Sequence, residues 1–244
     1  MALPALIDAE TLTAHLDDPD WVVLDCRAVL ADPGGGLAAY HAGHLPGAVH
    51  LDLDTHLSGP RTPASGRHPL PDPAALAAHL GTLGVGAGTH VVCYDGGELA
   101  FAARAWWLLR WLGHGAAAVL DGGFRLWHDQ GRPVDTDRPA RRTAQRFTAR
   151  VDPALMADVG AVPGAGLLVD ARAPERFRGE AEALDPVAGH IPGAVNHPAT
   201  ANLDSSGRLR DGAALRAQWQ AVLGPHDPGA VVCYCGSGVS ACVN

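Results

Sequence analysis

Lysine is absent from this sequence, and all 18 basic residues are arginine. Acidic residues outnumber them at 26, which gives a formal net charge of −8. A protein that binds nucleic acid needs a basic face, so this balance argues against a nucleic-acid partner. Any anion that is recognised through side-chain charge must be held by arginine, whose planar guanidinium suits a carboxylate.

Long apolar runs are also missing. The longest candidates are interrupted by Gly, His or Arg, and none approaches the ~18 residues that a membrane span requires. The first residues, from Met1 to Asp8, contain neither a basic segment nor a long apolar one, so they do not resemble a signal peptide. These absences predict a cytoplasmic protein without a membrane partner.

Cysteine is scarce, with five residues, and the number is odd. The spacing of these residues does not match zinc ligands, and Cys233 and Cys235 are too close together for a Cys-x-x-Cys motif. The pattern therefore argues against a disulfide framework, a zinc site and a dithiol redox motif. We expect neither a metal nor a cofactor.

The most informative feature of the sequence is an internal repeat. Three blocks recur in the same order at a nearly constant offset of 140–146 residues. They pair 23–28 (VLDCRA) with 168–173 (LVDARA), 43–49 (GHLPGAV) with 189–195 (GHIPGAV), and 91–96 (VVCYDG) with 231–236 (VVCYCG). A recurrence of this kind indicates a tandem duplication.

Short apolar runs alternate with helical patterns. Trp21 to Leu24 and Val91 to Tyr94 are rich in β-branched residues and predict buried parallel strands. The apolar spacing in Pro73 to Leu83 and in Ala100 to Leu112 predicts helices. The fold class is therefore α/β, with a parallel sheet flanked by helices in each half of the chain.

The repeat also sets the expected domain boundaries. We expect one domain at 1–130 and a second at 151–244, joined by a linker at 131–150 that is rich in proline and charge. The first half continues for about 35 residues beyond Asp95, whereas the second half ends nine residues after Cys235. By this template the second domain is incomplete at its C-terminus, and we interpret the sequence as a fragment.

The segment after the last predicted strand carries the candidate chemistry. It reads Cys235-Gly236-Ser237-Gly238-Val239-Ser240 and is expected to open a helix. Glycines at 236 and 238 allow positive φ, so that successive N–H groups converge on one point, and a helix N-terminus adds a positive dipole end. A thiol in such a cradle loses its proton easily. We therefore predict that Cys235 is a nucleophile, and that Gly236, Gly238, Val239 and Ser240 contact the substrate.

A phosphatase or an arsenate reductase is an alternative for a cysteine loop of this kind. Those enzymes need a longer loop that ends in an arginine, which holds the oxyanion. Here the sixth residue after Cys235 is Ala241. The sequence therefore disfavours this alternative.

Three motifs together resemble the rhodanese family, in particular its tandem-domain thiosulfate and 3-mercaptopyruvate sulfurtransferases. They are Asp170-Ala171-Arg172, the block at 189–194 and the loop at 235–239. The resemblance implies a catalytic second domain and a first domain that has lost the cysteine, since Asp95 stands where Cys235 stands in the repeat.

The resemblance also implies an activity. Sulfur would pass from thiosulfate or 3-mercaptopyruvate to Cys235 as a persulfide, and then to cyanide, a small thiol or a protein thiol. A rhodanese-like binding or sensing module with impaired catalysis remains the alternative, because the second half stops early.

Roles for further residues follow from the same resemblance. The loop lacks the cations that members preferring thiosulfate place after the cysteine, and so it is similar to the mercaptopyruvate type. In that type Ser237, Asp54 and His68 would cooperate in activating the substrate, and Arg176 would hold its carboxylate. The second arginine of the mercaptopyruvate type is missing, and 179–186 is a shorter, acidic segment instead.

Overall fold

The first half of the chain folds around a five-stranded parallel sheet. The structure is a computed structural model that describes residues 3–137, 139 and 141–244. The strand order is β1-β5-β4-β2-β3. The strands are β1 (Leu6–Ile7), β2 (Trp21–Asp25), β3 (Val49–His50), β4 (His90–Tyr94) and β5 (Ala117–Leu120). The helices are α1 (Ala9–Thr13), α2 (Gly35–Ala42), α3 (Pro73–Thr82), α4 (Ala100–Trp111) and α5 (Gly123–Asp129).

The second half contains a three-stranded parallel sheet of order β7-β6-β8. Its strands and α-helices are β6 (Leu167–Asp170), α6 (Pro174–Phe177), β7 (Val195–Asn196), α7 (Gly212–Leu223) and β8 (Val231–Tyr234). Short 3-10 turns occupy Pro153–Leu155, Val162–Gly164, Ala199–Asn202, Pro228–Ala230 and Ser240–Val243. The α/β class with two parallel-sheet domains is confirmed. Among the described residues, no helix is long and apolar enough to cross a membrane.

The two halves repeat the same strand register. In the first sheet Asp25, at the end of β2, pairs with Tyr94 at the end of β4. In the second sheet Asp170, at the end of β6, pairs with Tyr234 at the end of β8. The residues that follow β4 and β8 are Asp95 and Cys235, so both lie at the carboxyl edge of a parallel sheet. Ligands bind at this edge in open α/β folds.

The three central strands of the first sheet, β2, β4 and β5, are buried on both faces, which explains their nearly continuous apolar sequences. On one face Val22 and Leu24 pack with the apolar residues of α3 and α4. On the other face Val23 and Val92 pack with a second cluster that includes Trp127. Successive side chains of a strand point to opposite faces, so a single β-branched run serves both layers.

Side-chain caps define the start of two helices. Asp72 precedes α3, and its carboxylate accepts the N–H of Ala75 at 2.8 Å, while Pro73 takes the first helical position. Asp211 caps α7 in the same manner. Caps of this kind satisfy N–H groups that have no partner within the helix.

A buried ion pair in each half ties a strand end to the Gly-His-x-Pro-Gly turn. Arg27 donates to both carboxylate oxygens of Asp25 and to the carbonyl of Gly43 at 2.6 Å. The second half repeats this arrangement with Asp170, Arg172 and Gly189. The repeated blocks of the sequence are therefore braces that hold the loops at the carboxyl edge of each sheet.

The halves pack against each other through α4 and the cysteine loop. Val239 is 5% exposed and joins the core cluster that α4 helps to form. The 3-10 turn Ser240–Val243 lies against α4. We expected the cysteine loop to open a helix, and the structure has the 3-10 turn Ser240–Val243 there. Cys242 N–H donates to the carbonyl of Val239 and Asn244 N–H donates to the carbonyl of Ala241, which is i→i+3 bonding. The first half thus supports the loop of the second.

Candidate active site

The loop after β8 surrounds the sulfur of Cys235 with hydrogen-bond donors. Gly238 has φ of 73° and its N–H donates to Sγ at 3.1 Å. Burial raises the pKa of the Cys235 thiol, but the Ser240 hydroxyl and the backbone N–H groups of Ser237, Ala241 and Gly238 outweigh it and hold this pKa below its usual value. The predicted cradle of N–H groups is present, and it favours the thiolate.

The pKa values of the two neighbouring thiols are shifted in the opposite direction. Burial raises the pKa of Cys233 to about 11 and the pKa of Cys242 to about 12, where Arg104 opposes the effect. Cys242 donates its S–H to the carbonyl of Gly238 at 3.3 Å. At neutral pH these two thiols are therefore protonated, and Cys235 is the thiol of this cluster whose surroundings favour the thiolate.

Gly236 has a different role from the one that the sequence predicted. Positive φ occurs at Gly238 and not at Gly236. A Cβ atom at 236 would lie 2.5 Å from Arg67 Nη2, 2.5 Å from Asp185 Oδ2 and 3.3 Å from Arg176 Nη2. The glycine is therefore required for the close approach of charged side chains to the backbone next to Cys235.

The first half provides an internal comparison for the cysteine loop. Asp95 occupies the repeat position of Cys235, and its carboxylate accepts four backbone N–H groups. These donors are Gly97 at 2.9 Å, Leu99 at 3.1 Å, Phe101 at 3.0 Å and Ala102 at 3.1 Å. Both loops thus direct backbone N–H groups at the side chain in this position, which is a carboxylate in the first half and a thiol in the second. Burial raises the pKa of Asp95, and these N–H groups oppose the effect.

A buried arginine from α4 lies behind the cysteine loop. Arg104 is 3% exposed, and its guanidinium donates to the carbonyls of Gly238 at 3.2 Å, Leu57 at 3.3 Å and His68 at 3.3 Å. No carboxylate of the described residues pairs with it. Burial lowers its pKa, and the neighbouring Cys242 and Cys235 oppose this shift. Its positive charge is therefore directed towards the sulfur cluster rather than neutralised nearby.

Arg176, the predicted carboxylate-binding residue, is engaged by the acidic segment that follows it. Its guanidinium donates to Glu182 at 2.8, 2.9 and 3.1 Å and to Asp185 Oδ2 at 2.7 Å. Burial raises the pKa of Glu182, but the N–H groups of Leu184 and Asp185, together with Arg176, lower it to about 2. Glu182 is thus a fixed anion beside Arg176.

Arg67 belongs to the same cluster, although the sequence analysis did not select it. Its Nε donates to Asp185 Oδ1 at 3.0 Å. It also lines a cavity of about 80 Å³ together with Arg176 and Cys235. Other lining residues are Gly236, Ser237, Val239 and Ser240. In the sequence, only its position next to His68 could have indicated a role for Arg67, because its contact with Asp185 forms when the two halves pack together.

Asp54 and His68 lie near each other, and Ser237 lies on the cavity wall. His68 Nε2 is 3.5 Å from Asp54 Oδ1, and Arg61 also donates to that carboxylate at 3.1 Å. Burial lowers the pKa of His68, which Asp54 only partly offsets, so its imidazole is neutral at pH 7. Within the part of the chain that the structure describes, Ser237 makes no hydrogen bond to either residue.

A larger cavity, of about 540 Å³, lies in the first half near Arg27, Phe124, His128 and Arg132. Arg27 is committed to Asp25 and Gly43, and its guanidinium lies over the ring of Phe124 at 4.2 Å. Among the described residues, those that line this cavity include no cysteine or serine. The smaller cavity beside Cys235 is therefore the better candidate for the chemistry.

Comparisons with known proteins agree with this geometry. The model of the rhodanese-like domain matches residues 8–130 and 154–244. A Pseudomonas aeruginosa protein named a probable 3-mercaptopyruvate sulfurtransferase is 45% identical over 252 residues, which cover 100% of this chain and 88% of that protein. A Mycobacterium tuberculosis protein, provisionally named a thiosulfate sulfurtransferase, is 40% identical over 254 residues, with 98% of this chain and 85% of that protein covered.

One solved structure extends the comparison to three dimensions. The Escherichia coli protein SseA, described as a 3-mercaptopyruvate enzyme with the rhodanese fold, matches with a TM-score of 0.85 and 32% identity. The match covers 99% of this chain and 92% of that chain. None of these similarities supports the alternative of a module with impaired catalysis.

Proposed function

Because the chain belongs to the rhodanese family and is a sulfurtransferase, we propose that Cys235 is its nucleophile and carries the transferred sulfur as a persulfide. The observation that supports this most strongly is the set of donors around Sγ. They lower the pKa of Cys235 despite its burial, whereas burial raises the pKa of Cys233 and Cys242. The reactive thiolate is the form that this loop stabilises.

Sulfur transfer then takes two steps. In the first, the Cys235 thiolate attacks the donor sulfur. With 3-mercaptopyruvate the C–S bond breaks, and its electron pair leaves on carbon as the enolate of pyruvate, which takes up a proton. With thiosulfate the S–S bond breaks and sulfite leaves with the electron pair. In the second step a thiol or cyanide attacks the outer sulfur of the persulfide and restores the Cys235 thiolate.

The N–H cradle serves both steps. It stabilises the thiolate before the attack and the terminal sulfur anion after it. Gly238 contributes the shortest contact to Sγ, at 3.1 Å, and its carbonyl is fixed by Arg104. The cradle is therefore preorganised, and no external base is needed to form the nucleophile.

We propose 3-mercaptopyruvate as the preferred donor. Residues 236–240 carry no cationic side chain that would suit the thiosulfate dianion. Arg176, whose Nη2 already donates to one carboxylate at Asp185, supplies a charged donor for the carboxylate of 3-mercaptopyruvate. His68 is neutral and lies beside Asp54, and we propose that it accepts a proton from a donor bound at Ser237. Thiosulfate is the second candidate, and it is the donor that the name of the Mycobacterium tuberculosis relative suggests.

We propose a small thiol, cyanide or a protein thiol as acceptor, since each supplies a nucleophile for the outer sulfur. A cytoplasmic location stays a prediction, which cell fractionation would test.

The experiment is the mass of the intact protein after incubation with each donor. Persulfide formation adds about 32 Da, the mass of one sulfur atom. We expect the adduct in the parent protein and its absence in Cys235→Ser. The Cys233→Ser variant is the matched control and should retain it. Failure of both donors to add sulfur, or an adduct that persists in Cys235→Ser, would exclude the proposed nucleophile.

A further inference from the structure

Two arginines from different halves of the chain converge on one carboxylate at the cysteine loop. Arg67 Nε donates to Oδ1 of Asp185 at 3.0 Å, and Arg176 Nη2 donates to Oδ2 at 2.7 Å. Each oxygen of Asp185 therefore has its own arginine. The three side chains are 18–23% exposed, so the group is partly shielded from water and still reachable from it.

This cluster lies directly on the residue that follows the nucleophile. The cluster fits there because Gly236 has no side chain: a Cβ atom at this position would lie 2.5 Å from both Arg67 and Asp185. Arg67 and Arg176 also line the cavity that contains Cys235. The carboxylate of Asp185 thus occupies the place, between two guanidinium groups, that an anionic group of a donor needs beside the sulfur.

We propose that Arg67 and Arg176 form a clamp for the anionic group of the sulfur donor, and that Asp185 occupies this clamp until the donor displaces it. The inference rests on the proposed function, and it assigns a substrate-binding role to a residue of the first half. The clamp selects a planar monoanion, a carboxylate, in preference to a dianion.

Charge balance favours this exchange. Arg176 keeps Glu182 as a partner when Asp185 leaves, through contacts at 2.8–3.1 Å. Arg67 has Asp185 as its one anionic partner among the described residues, so it is left with an unpaired charge. A donor carboxylate restores neutrality, whereas thiosulfate adds a second negative charge next to Glu182. The exchange of one carboxylate for another therefore suits 3-mercaptopyruvate.

The position of Asp185 permits the movement. It lies between Leu184, which is 45% exposed, and Pro186, and Val187 is 77% exposed. Its side chain is thus carried on a surface segment that contributes no buried apolar residue between 184 and 187.

Two substitutions with opposite expected effects test the proposal. Arg67→Gln removes one charge-assisted pair with the donor, so the KM for 3-mercaptopyruvate should rise about tenfold or more. Asp185→Asn removes the competing anion and keeps the shape, so this KM should fall about threefold. The KM for thiosulfate should fall further, because the loss of one negative charge favours a dianion more than a monoanion. Arg178→Gln, which alters the exposed Arg178–Glu180 pair on the same segment, is the control and should leave KM unchanged.

If the role of Asp185 is purely structural, the change in KM caused by Asp185→Asn has the opposite sign. If Asp185 only braced the two arginines, Asp185→Asn would raise KM as Arg67→Gln does, and that result would overturn the proposal. An unchanged KM in Arg67→Gln would overturn it as well. Arg67→Lys guards against a folding defect, since it keeps the charge without the fork and should give an intermediate KM.

Pyruvate provides a binding readout that is independent of turnover. Its protection of Cys235 against iodoacetamide should weaken in Arg67→Gln and strengthen in Asp185→Asn. The failure of the proposed function looks different, because the parent protein would then acquire no sulfur from either donor. If the parent forms the persulfide while these variants match it in KM and in protection by pyruvate, only the clamp is wrong.

Discussion

Replacement of Arg104 is expected to raise the pKa of Cys235, because a buried charge behind the loop would be lost. One residue, Gly238, is hydrogen-bonded both to Arg104 and to Sγ of Cys235. Arg104 Nη1 is 3.2 Å from the Gly238 carbonyl, and the Gly238 N–H is 3.1 Å from the sulfur. The standard dimensions of one residue therefore place the charge within about 10 Å of Sγ.

That distance sets the size of the effect. Two unit charges about 10 Å apart interact by ~1.7 kcal/mol at an effective dielectric constant of about 20. A difference of 1.4 kcal/mol is about tenfold in an equilibrium constant. In Arg104→Met the fraction of thiolate well below the Cys235 pKa should thus fall about tenfold, and the rate of alkylation by iodoacetamide should fall with it.

The assay is the pH profile of Cys235 alkylation, followed by the mass of the intact protein. Arg104→Lys is the matched variant, because it keeps the charge and loses the fork that reaches Leu57 and His68. Its alkylation midpoint should lie closer to that of the parent than the midpoint of Arg104→Met. If Arg104→Met folds and has the parent's midpoint, or if both variants are shifted equally, the charge does not stabilise the thiolate.

Three further predictions concern the cradle and its surroundings. Gly236→Ala should reduce kcat/KM for the donor at least about tenfold, because its Cβ would displace the charged cluster, whereas Gly88→Ala, which meets nothing within 4 Å, should leave it unchanged. Asp95→Ala leaves four buried N–H groups without their acceptor, so urea denaturation should show a loss of about 3 kcal/mol or more, and Asp95→Asn, which keeps an acceptor, a smaller one. Burial lowers the pKa of His68, and it lowers the pKa of His56 to about 4. A folded-state pKa below the usual 6.5 means that the stability from a neutral histidine is present above pH 6.5 and is lost as pH falls below it, by up to ~1.4 kcal/mol per pH unit. For His56 this loss continues to about pH 4, and a thermal midpoint that stays flat between pH 6.5 and 4 would contradict this expectation.

The sequence predicted the fold well because its strongest signals are local. β2 and β4 are β-branched runs buried on both faces, and helices were predicted at 73–83 and 100–112, close to the observed α3 (Pro73–Thr82) and α4 (Ala100–Trp111). The repeat then made each half a template for the other. The helix predicted to follow the cysteine loop begins where it was expected, as the 3-10 turn Ser240–Val243.

The site was harder to predict because it is assembled from both halves. Arg67 and Arg104 come from the first half and meet the cysteine loop only when the halves pack, so no spacing in the sequence reveals them. The acidic segment that contains Asp185 looked like a departure from the mercaptopyruvate type. In the structure its carboxylate pairs with Arg67 and Arg176. The roles predicted for Asp54, His68 and Ser237 stay predictions.

The location of the transferred sulfur is the most direct test of the proposed chemistry. The protein would be treated with one equivalent of 3-mercaptopyruvate, trapped with an alkylating reagent and digested under non-reducing conditions, and the mass of each cysteine peptide would be measured. We predict one added sulfur on Cys235, removed by cyanide before trapping. Added sulfur on Cys233 or Cys242 with none on Cys235 would contradict the assignment of the nucleophile.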